Sequence, residues 1–432
     1  MWGGAIPEVM GRLYGSGSTL ADESFDTQMF RFFEQRSTFS NYFSRSMAAL
    51  GHEVIEVVFD HKPAQKAWAR EHNVPWNEKT WQWEIPLAQI GAFKPDILNL
   101  HSLVNIPAGI GAEAKRRFPY IKKVTAFVGS KIYEHQLPGV DFLMVGVRPM
   151  VEQFRSRGIE THLVYHGFDT AIAKTMTDVS QRDSTRHQFT FIGTSGFAYQ
   201  DSFVKRYWLL VDLLIRTRLE AWVSDGEQLM PKTHAMDWSI VESMRHRLIA
   251  QAQETKSIDG LKVYLAKFVG SMTGLMSRDV IEEYQKFVVP GDHEASPLLP
   301  VVPLTKVVPE KCHPPVFGLD FYDLLSRSDI TLNVEADINM GVTANMRMFE
   351  ATGVGACLLT EDTPNIGDLF ESDYEVVTYA STEECIEKSQ YLLKNPTVRN
   401  SIAEAGRART LRDHTVEQRC AQVDELFQKY VS

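Results

Sequence analysis

The densest group of residues that could do chemistry lies at 341–361, GVTANMRMFEATGVGACLLTE. Asn345, Arg347 and Glu350 fall in the first turns of a helix expected near 343–353, and the apolar run ACLLT (356–360) reads as a strand ending in Thr360 and Glu361. A helix start offers free N–H groups and a positive dipole end to a diphosphate, which Arg347 can neutralise, while Glu350 can accept both hydroxyls of a ribose. The same spacing fits an amphipathic helix with a capping Asn and a solvated Glu, and spacing alone leaves both readings open. FIGTSG (191–196) is a second candidate. A strand running into Gly193, Ser195 and Gly196 lets backbone N–H groups approach a pyrophosphate, although a ligand-free tight turn has the same composition. His101 follows DILNL directly and His166 follows THLVY, so both stand at strand ends, in the right pKa range for a general base or as hydrogen-bonded structural groups. Asp26, Glu23 and Glu34 are further candidates for the base.

These residues need elements to position them. From about Ser37 helix and strand signals alternate: a helix with Phe39, Phe43, Met47 and Leu50, then HEVIEVVF (52–59), DILNL (96–100), a helix near 107–117, KVTAFV (123–128), DFLMV (141–145), VRPMVEQFRSRG and THLVY (161–165). Short buried strands separated by helices predict a parallel sheet. The polar stretch 178–187 reads as a linker, and a second alternation follows: FTFIG (189–193), a helix with Phe203, Tyr207, Leu210 and Leu214, then DITLNV (329–334), ACLLT (356–360) and YEVVTY (374–379). Residues 216–287 read as mostly helical and 290–315 hold seven of the 19 prolines, so 216–315 is expected to be an insertion in the second domain. The expected divisions are a first domain at 1–177, a second at 188–412 and a docking helix at 413–432, with Val416, Cys420, Val423 and Phe427 on one face. Two doubly wound units would set the carboxyl ends of their sheets across a cleft, where such folds bind ligands.

Composition narrows the function classes. The chain has 432 residues, enough for two or three domains, with 44% hydrophobic and 23% charged residues, an ordinary globular balance. A net charge of −10 gives no general attraction to a polyanion, which argues against nucleic acid. Cys312, Cys357, Cys385 and Cys420 are far apart and make no CxxC or Cys/His ligand spacing, so neither a disulfide framework nor a zinc knuckle is expected and a reducing cytoplasm fits. The start MWGGAIPEVMGRLYG lacks a basic region followed by an apolar core, and no apolar run approaches the ~18 residues of a membrane span, so the chain reads as soluble or peripheral. AKRRFPYIKK (114–123) would attract anionic lipid or a lipid-linked acceptor, or is a solvated helix end.

The N-x-R-x-F-E-A-x-x-x-G run at 345–355 resembles the donor-site signature of the CgeB-like branch of GT-B glycosyltransferases. RARTLRDHTVEQR (407–419) and PPVFGLDFYDLLSRSDITLNVEAD (314–337) are similar to other parts of the same family, and QKAWAREHNV (65–74), KPDILNL (94–100), FRSRGIETHLVYHGFD (154–169) and FIGTSG resemble it more loosely. The resemblance implies an α/β GT-B fold, two Rossmann-like doubly wound domains facing a cleft. It further implies a nucleotide-sugar donor held mainly by the second domain, an acceptor by the first, and no metal or cofactor. Glu350 would bind the donor ribose, Arg347 and the 193–196 loop its phosphates, and Asn345 the phosphate or sugar. Many retaining enzymes of this fold carry a second glutamate eight positions earlier, where this chain has Val342; Glu335 or Asp337 stands as its replacement. The implied activity is sugar transfer to a saccharide or lipid-linked acceptor in surface polysaccharide or glycoconjugate synthesis, in the cytoplasm or at the inner face of the membrane. Competing readings are a GT-B nucleotide-sugar epimerase, a degenerate nucleotide-sugar or polysaccharide-binding module, and, more remotely, a dinucleotide dehydrogenase, for which the full glycine fingerprint is missing.

Overall fold

The computed structural model describes residues 2–3, 7–37, 40–101, 103, 106, 109–129, 132, 134–179, 186–197, 203–225, 249–250, 253 and 303–431. Contacts divide the chain into two units, one of 1–181 with 317–323 and 408–432, the other of 182–316 with 324–407. Each unit is built on a six-stranded sheet whose paired strands are all parallel. Both units are Rossmann-like, as the sequence predicts.

The first sheet comprises β1 (Trp2–Gly3), β2 (Val57–Val58), β3 (Ile97–Leu100), β4 (Lys123–Val128), β5 (Phe142–Val145) and β6 (Thr161–Leu163), in the order β2-β1-β3-β4-β5-β6. The second comprises β7 (His187–Thr194), β8 (Leu219–Ser224), β9 (Cys312–His313), β10 (Ser328–Leu332), β11 (Cys357–Glu361) and β12 (Val377–Tyr379), in the order β12-β11-β10-β7-β8-β9. Numbered from its own first strand, the second sheet has the dinucleotide-fold order 3-2-1-4-5-6, with its topological switch between β7 and β10; the first sheet switches between β1 and β3. Ligands of such sheets bind beyond the carboxyl ends of the strands at the switch.

The strands are apolar because helices cover both faces of a parallel sheet. In the second unit Phe189, Ile330, Leu332 and Leu359 pack with Tyr207, Leu210 and Leu214 of the helix Val204–Arg216. In the first, Phe142, Met144 and Val164 meet Met47 and the face Val416, Cys420, Val423 and Phe427 of the helix Val416–Val431.

Several boundaries differ from the sequence reading. HEVIEVVF yields only the two paired residues of β2, and YEVVTY only Val377–Tyr379. The helix expected near 343–353 begins at Arg347, after a looped approach. Leu219–Ser224, read as part of a helical insertion, is strand β8, and Cys312–His313 adds β9 at the other end of that stretch, so both ends of 216–315 belong to the sheet. Most of the remaining insertion, and Phe39, lie outside the described residues. The segment 317–323, read within the second domain, groups with the first unit, where Phe317 packs beside Val9 and Phe32.

Candidate functional site

At the switch of the second sheet, β7 ends in Gly193 and Thr194 while β10 runs out into Asn333, Val334 and Glu335. Asn333 is buried and acts as a hub. Its Nδ2 donates to Glu335 Oε1 (2.8 Å) and Thr360 Oγ1 (3.0 Å), and its Oδ1 accepts from Asn345 Nδ2 (2.9 Å). Glu335 Oε2 accepts from Asn339 Nδ2 (2.6 Å) and from the backbone N–H groups of Ala344 (3.3 Å) and Asn345 (3.2 Å), so this carboxylate gathers the 336–346 loop around itself. Burial raises the Glu335 pKa, while these donors and the Arg206 charge pull it down. Asp337 sits exposed at the start of the turn Asp337–Asn339. Thr360 is fully buried.

Asn345 precedes the helix Arg347–Gly353, and its Oδ1 accepts from the Arg347 N–H (3.2 Å). The Arg347 guanidinium donates to Glu350 Oε2 (3.1 Å) and to the Ile192 carbonyl (2.9 Å), which ties the helix start to the end of β7. Asn345, Arg347, Glu350, Thr360, Glu335 and the 193–196 turn are thus brought to one switch point within the second unit. In that turn the N–H of Ser195 donates to the Ser224 carbonyl (3.1 Å), that of Gly196 to Thr194 Oγ1 (3.2 Å) and that of Phe197 to Ser195 Oγ (3.3 Å). Gly196 has φ +95°, and a Cβ there would lie 2.7 Å from the Phe203 carbonyl oxygen, so glycine is required.

Sequence reasoning missed Arg206 and Asn333. Arg206 is 94% buried, donates from Nη2 to the Val334 carbonyl (2.6 Å), lies 4.3 Å from the Phe203 ring centroid and is close enough to Glu335 and Glu361 to feel their charge. Burial lowers its pKa to about 10, so it remains a cation at neutral pH. The only sequence signal was a basic residue on the apolar face of a helix, or an Asn closing an apolar strand.

In the first unit, His101 stands just beyond β3 at that sheet's switch, and His166 three residues beyond β6. Phe127 packs against both rings, at centroid distances of 6.0 Å and 4.9 Å. Tyr42 Oη lies 3.1 Å from His101 Nε2. Burial lowers His101 to about 3, helped by the charge of His166, and lowers His166 to about 4, helped by Arg419. Both imidazoles are therefore neutral near pH 7, and burial takes them below the pKa range expected of a general base working near neutrality. Arg419 Nε donates to the His166 carbonyl (3.1 Å) and its Nη2 lies 2.8 Å from His414 Nδ1. Phe168 and the 414–416 stretch exchange backbone hydrogen bonds, and a Cβ on Gly167 would sit 2.7 Å from the Thr415 backbone. The DHTVEQR segment accordingly clasps HGFD (166–169), and Asp169 is buried against Arg45, with Arg36 at 3.8 Å.

In the basic cluster at 114–123, Arg116 and Arg117 pair with Glu113, Lys115 with Asp141 and Lys122 with Asp96. Among the described residues no group of three or more His, Cys, Asp or Glu could hold a metal, and no helix is long and apolar enough to cross a membrane.

Residues 277–425 match the family model described as glycosyl transferase-like. No curated protein matches the chain. Among solved structures the chain is similar to HepE of Anabaena in complex with UDP-glucose, 12% identical over 87% of this chain and 91% of that one, with a TM-score of 0.49. It is likewise similar to a glycosyltransferase from Rickettsia africae (10% identity, 90% and 93% coverage, TM-score 0.48) and to sucrose-phosphate synthase from Thermosynechococcus elongatus (9%, 82% and 80%, TM-score 0.45).

Proposed function

We propose that the protein is a glycosyltransferase of GT-B type, CgeB-like, that moves a sugar from a nucleotide-sugar donor to a saccharide or lipid-linked acceptor in building a surface polysaccharide or glycoconjugate. The observation that carries the reading is a coincidence. The stretch matching the glycosyl transferase-like model, 277–425, supplies Glu335, Asn345, Arg347, Glu350 and Thr360, and the fold gathers these at the switch point where a doubly wound sheet takes its ligand.

In this reading Glu350 accepts the ribose hydroxyls, and Arg347, already held between Glu350 and the Ile192 carbonyl, faces the diphosphate with the cationic Arg206 supporting it. Asn345 contacts phosphate or sugar, with Asp337 as the exposed carboxylate on the sugar side. Glu335 fixes the loop that carries Asn345. Breaking the bond to the sugar leaves negative charge on the departing phosphate, which the two guanidiniums stabilise. In the first unit a neutral imidazole, His166 or His101, takes the proton of the acceptor hydroxyl.

The test is product analysis with a panel of nucleotide sugars, with and without oligosaccharide acceptors. Sugar transfer that needs an acceptor and falls at least about tenfold in Glu350→Ala supports the proposal. A rearranged nucleotide sugar formed without acceptor would make the protein an epimerase. Binding without turnover on any acceptor would make it a non-catalytic module.

A further inference from the structure

The loop that joins β10 to the helix Arg347–Gly353 closes on itself. Glu335 Oε2, at its start, accepts the N–H groups of Ala344 (3.3 Å) and Asn345 (3.2 Å) at its end and Asn339 Nδ2 (2.6 Å) from its middle. A second clamp holds the return limb. Thr343 donates its N–H to Asn365 Oδ1 (2.8 Å), its carbonyl accepts from Asn365 Nδ2 (2.9 Å), and its hydroxyl lies 2.6 Å from Thr363 Oγ1. Compact loops with joined ends often carry function. Both ends of this one are anchored at the switch of the second sheet, so its tip, 337–342, stands within a few residues of Glu335 and Asn345.

The tip is costly as built. Met340 has φ +53° and Gly341 φ +77°, so two successive residues take the left-handed region. The other non-glycine residues in that region, among the described residues, are Arg36, Asn73, Lys94 and Asp373, all polar or charged. Met340 is apolar and 44% exposed. A glycine or an asparagine would fit this backbone with less strain and put no thioether into water. Ile338 and Val342, its neighbours in the tip, are half-buried, and Asp337 is exposed. Asn333, Glu335, Asn339 and Thr343 are engaged in the hydrogen bonds given above, so the tip offers an incoming group one carboxylate and an apolar lip. Strain kept in a doubly clamped loop beside a ligand crevice is an outlier that leads to function.

We propose that Met340, with Val342 beside it, is a specificity-determining contact for the donor sugar, and that the sugar it selects carries a methyl group, in an N-acetyl substituent or as C6 of a 6-deoxy sugar. The inference rests on the glycosyltransferase reading above and narrows its donor. A flexible thioether packs well on a methyl group, whereas a hydroxyl in the same place loses water and gains no partner. Asp337 remains to accept a hydroxyl of the same ring. A methyl group in such a contact gives discrimination of about tenfold or more, as one methylene does in an apolar pocket.

The experiment measures binding of the glucose, 6-deoxyglucose and N-acetylglucosamine conjugates of UDP, TDP and GDP, with their galacto and manno counterparts, to the parent, Met340→Leu and Met340→Asn. On the nucleotide that binds, one methyl-bearing sugar should bind at least about tenfold more tightly than its plain counterpart, and its identity separates the N-acetyl from the 6-deoxy source. Met340→Leu should keep the preference. Met340→Asn should shrink it to within about twofold, while its unliganded thermal midpoint stays level or rises, because Asn suits the left-handed backbone. A merely structural Met340 would show the reverse, a lower midpoint with the preference intact, and that result would overturn the proposal. Equal binding of methyl-bearing and plain sugars by the parent would overturn it too. If no nucleotide sugar binds any of the three proteins, the transferase reading itself fails, an outcome distinct from a donor bound without methyl preference.

Discussion

His61 provides a sharp test of how burial sets ionisation in the first unit. Its ring is fully buried, caps the helix Lys62–Glu71 by accepting the Ala64 N–H at Nδ1 (3.2 Å), and meets Tyr14 Oη at Nε2 (3.4 Å) while Tyr14 donates to Gln28. Burial lowers its pKa to about 4. Protonation would also destroy the acceptor that caps the helix. In the unfolded chain the imidazole titrates near 6.5, so the unfolded state takes up a proton first as the pH falls. Stability from this group is complete above about pH 6.5, declines through the window down to pH 4 and levels off below it. Linkage gives a loss of about 2 kcal/mol at pH 5 and about 3 kcal/mol at pH 4. His61→Asn keeps a capping side chain but cannot titrate. In urea titrations followed at pH 7 and pH 5, the parent should lose about 2 kcal/mol more than the variant, whatever their difference at pH 7. Parallel losses in the two proteins would refute the assignment of a neutral, buried His61.

Other perturbations follow from the same geometry. Gly167→Ala forces a Cβ into the Thr415 backbone and should cost about 1–3 kcal/mol, read as a lower thermal midpoint with faster proteolysis at the C-terminal helix; an unchanged midpoint would mean that the 166–169 clasp does not form. Arg206→Met removes the cation near Glu335 and Glu361 and the donor to Val334, and should destabilise the second unit by about 3–5 kcal/mol at pH 7, with part recovered at pH 5 as the carboxyls protonate. A loss that does not shrink on acidification would refute the charge argument. Replacing His101 and His166 singly by Gln should separate base from scaffold, since the base variant loses kcat at saturating donor by a factor of about 100 or more while the other changes KM or stability alone. Activity within about twofold of the parent in both would exclude them as catalysts.

The parallel α/β architecture was legible because strands such as ILNL, KVTAFV and FLMV are short, mainly apolar runs, as helix-covered strands are. Strand β8 was misread as helix because LEAWVS follows the helix Val204–Arg216 without Gly or Pro, although the period-two burial of Leu219, Ala221 and Val223 was present in its pattern. HEVIEVVF had strong strand propensity, but among the described residues only Val57 and Val58 of it pair with β1, through Trp2 and Gly3, and pairing as well as propensity defines a strand. For the site, spacing indicated Asn345, Arg347 and Glu350, because helix periodicity brings such residues to one end. Asn333, Arg206 and Tyr42 were illegible, since each acts through partners remote in sequence, such as Asn345, Val334 and His101.

The most direct test of the central claim is a binding titration of purified protein with nucleoside diphosphates and their sugar conjugates, comparing the parent with Glu350→Ala. The account predicts that one nucleotide family raises the parent's thermal midpoint in a concentration-dependent way, and that the variant, folded and with a similar unliganded midpoint, binds it at least several-fold more weakly. Equal binding by both proteins, or no response to any nucleotide at millimolar concentration, would contradict it.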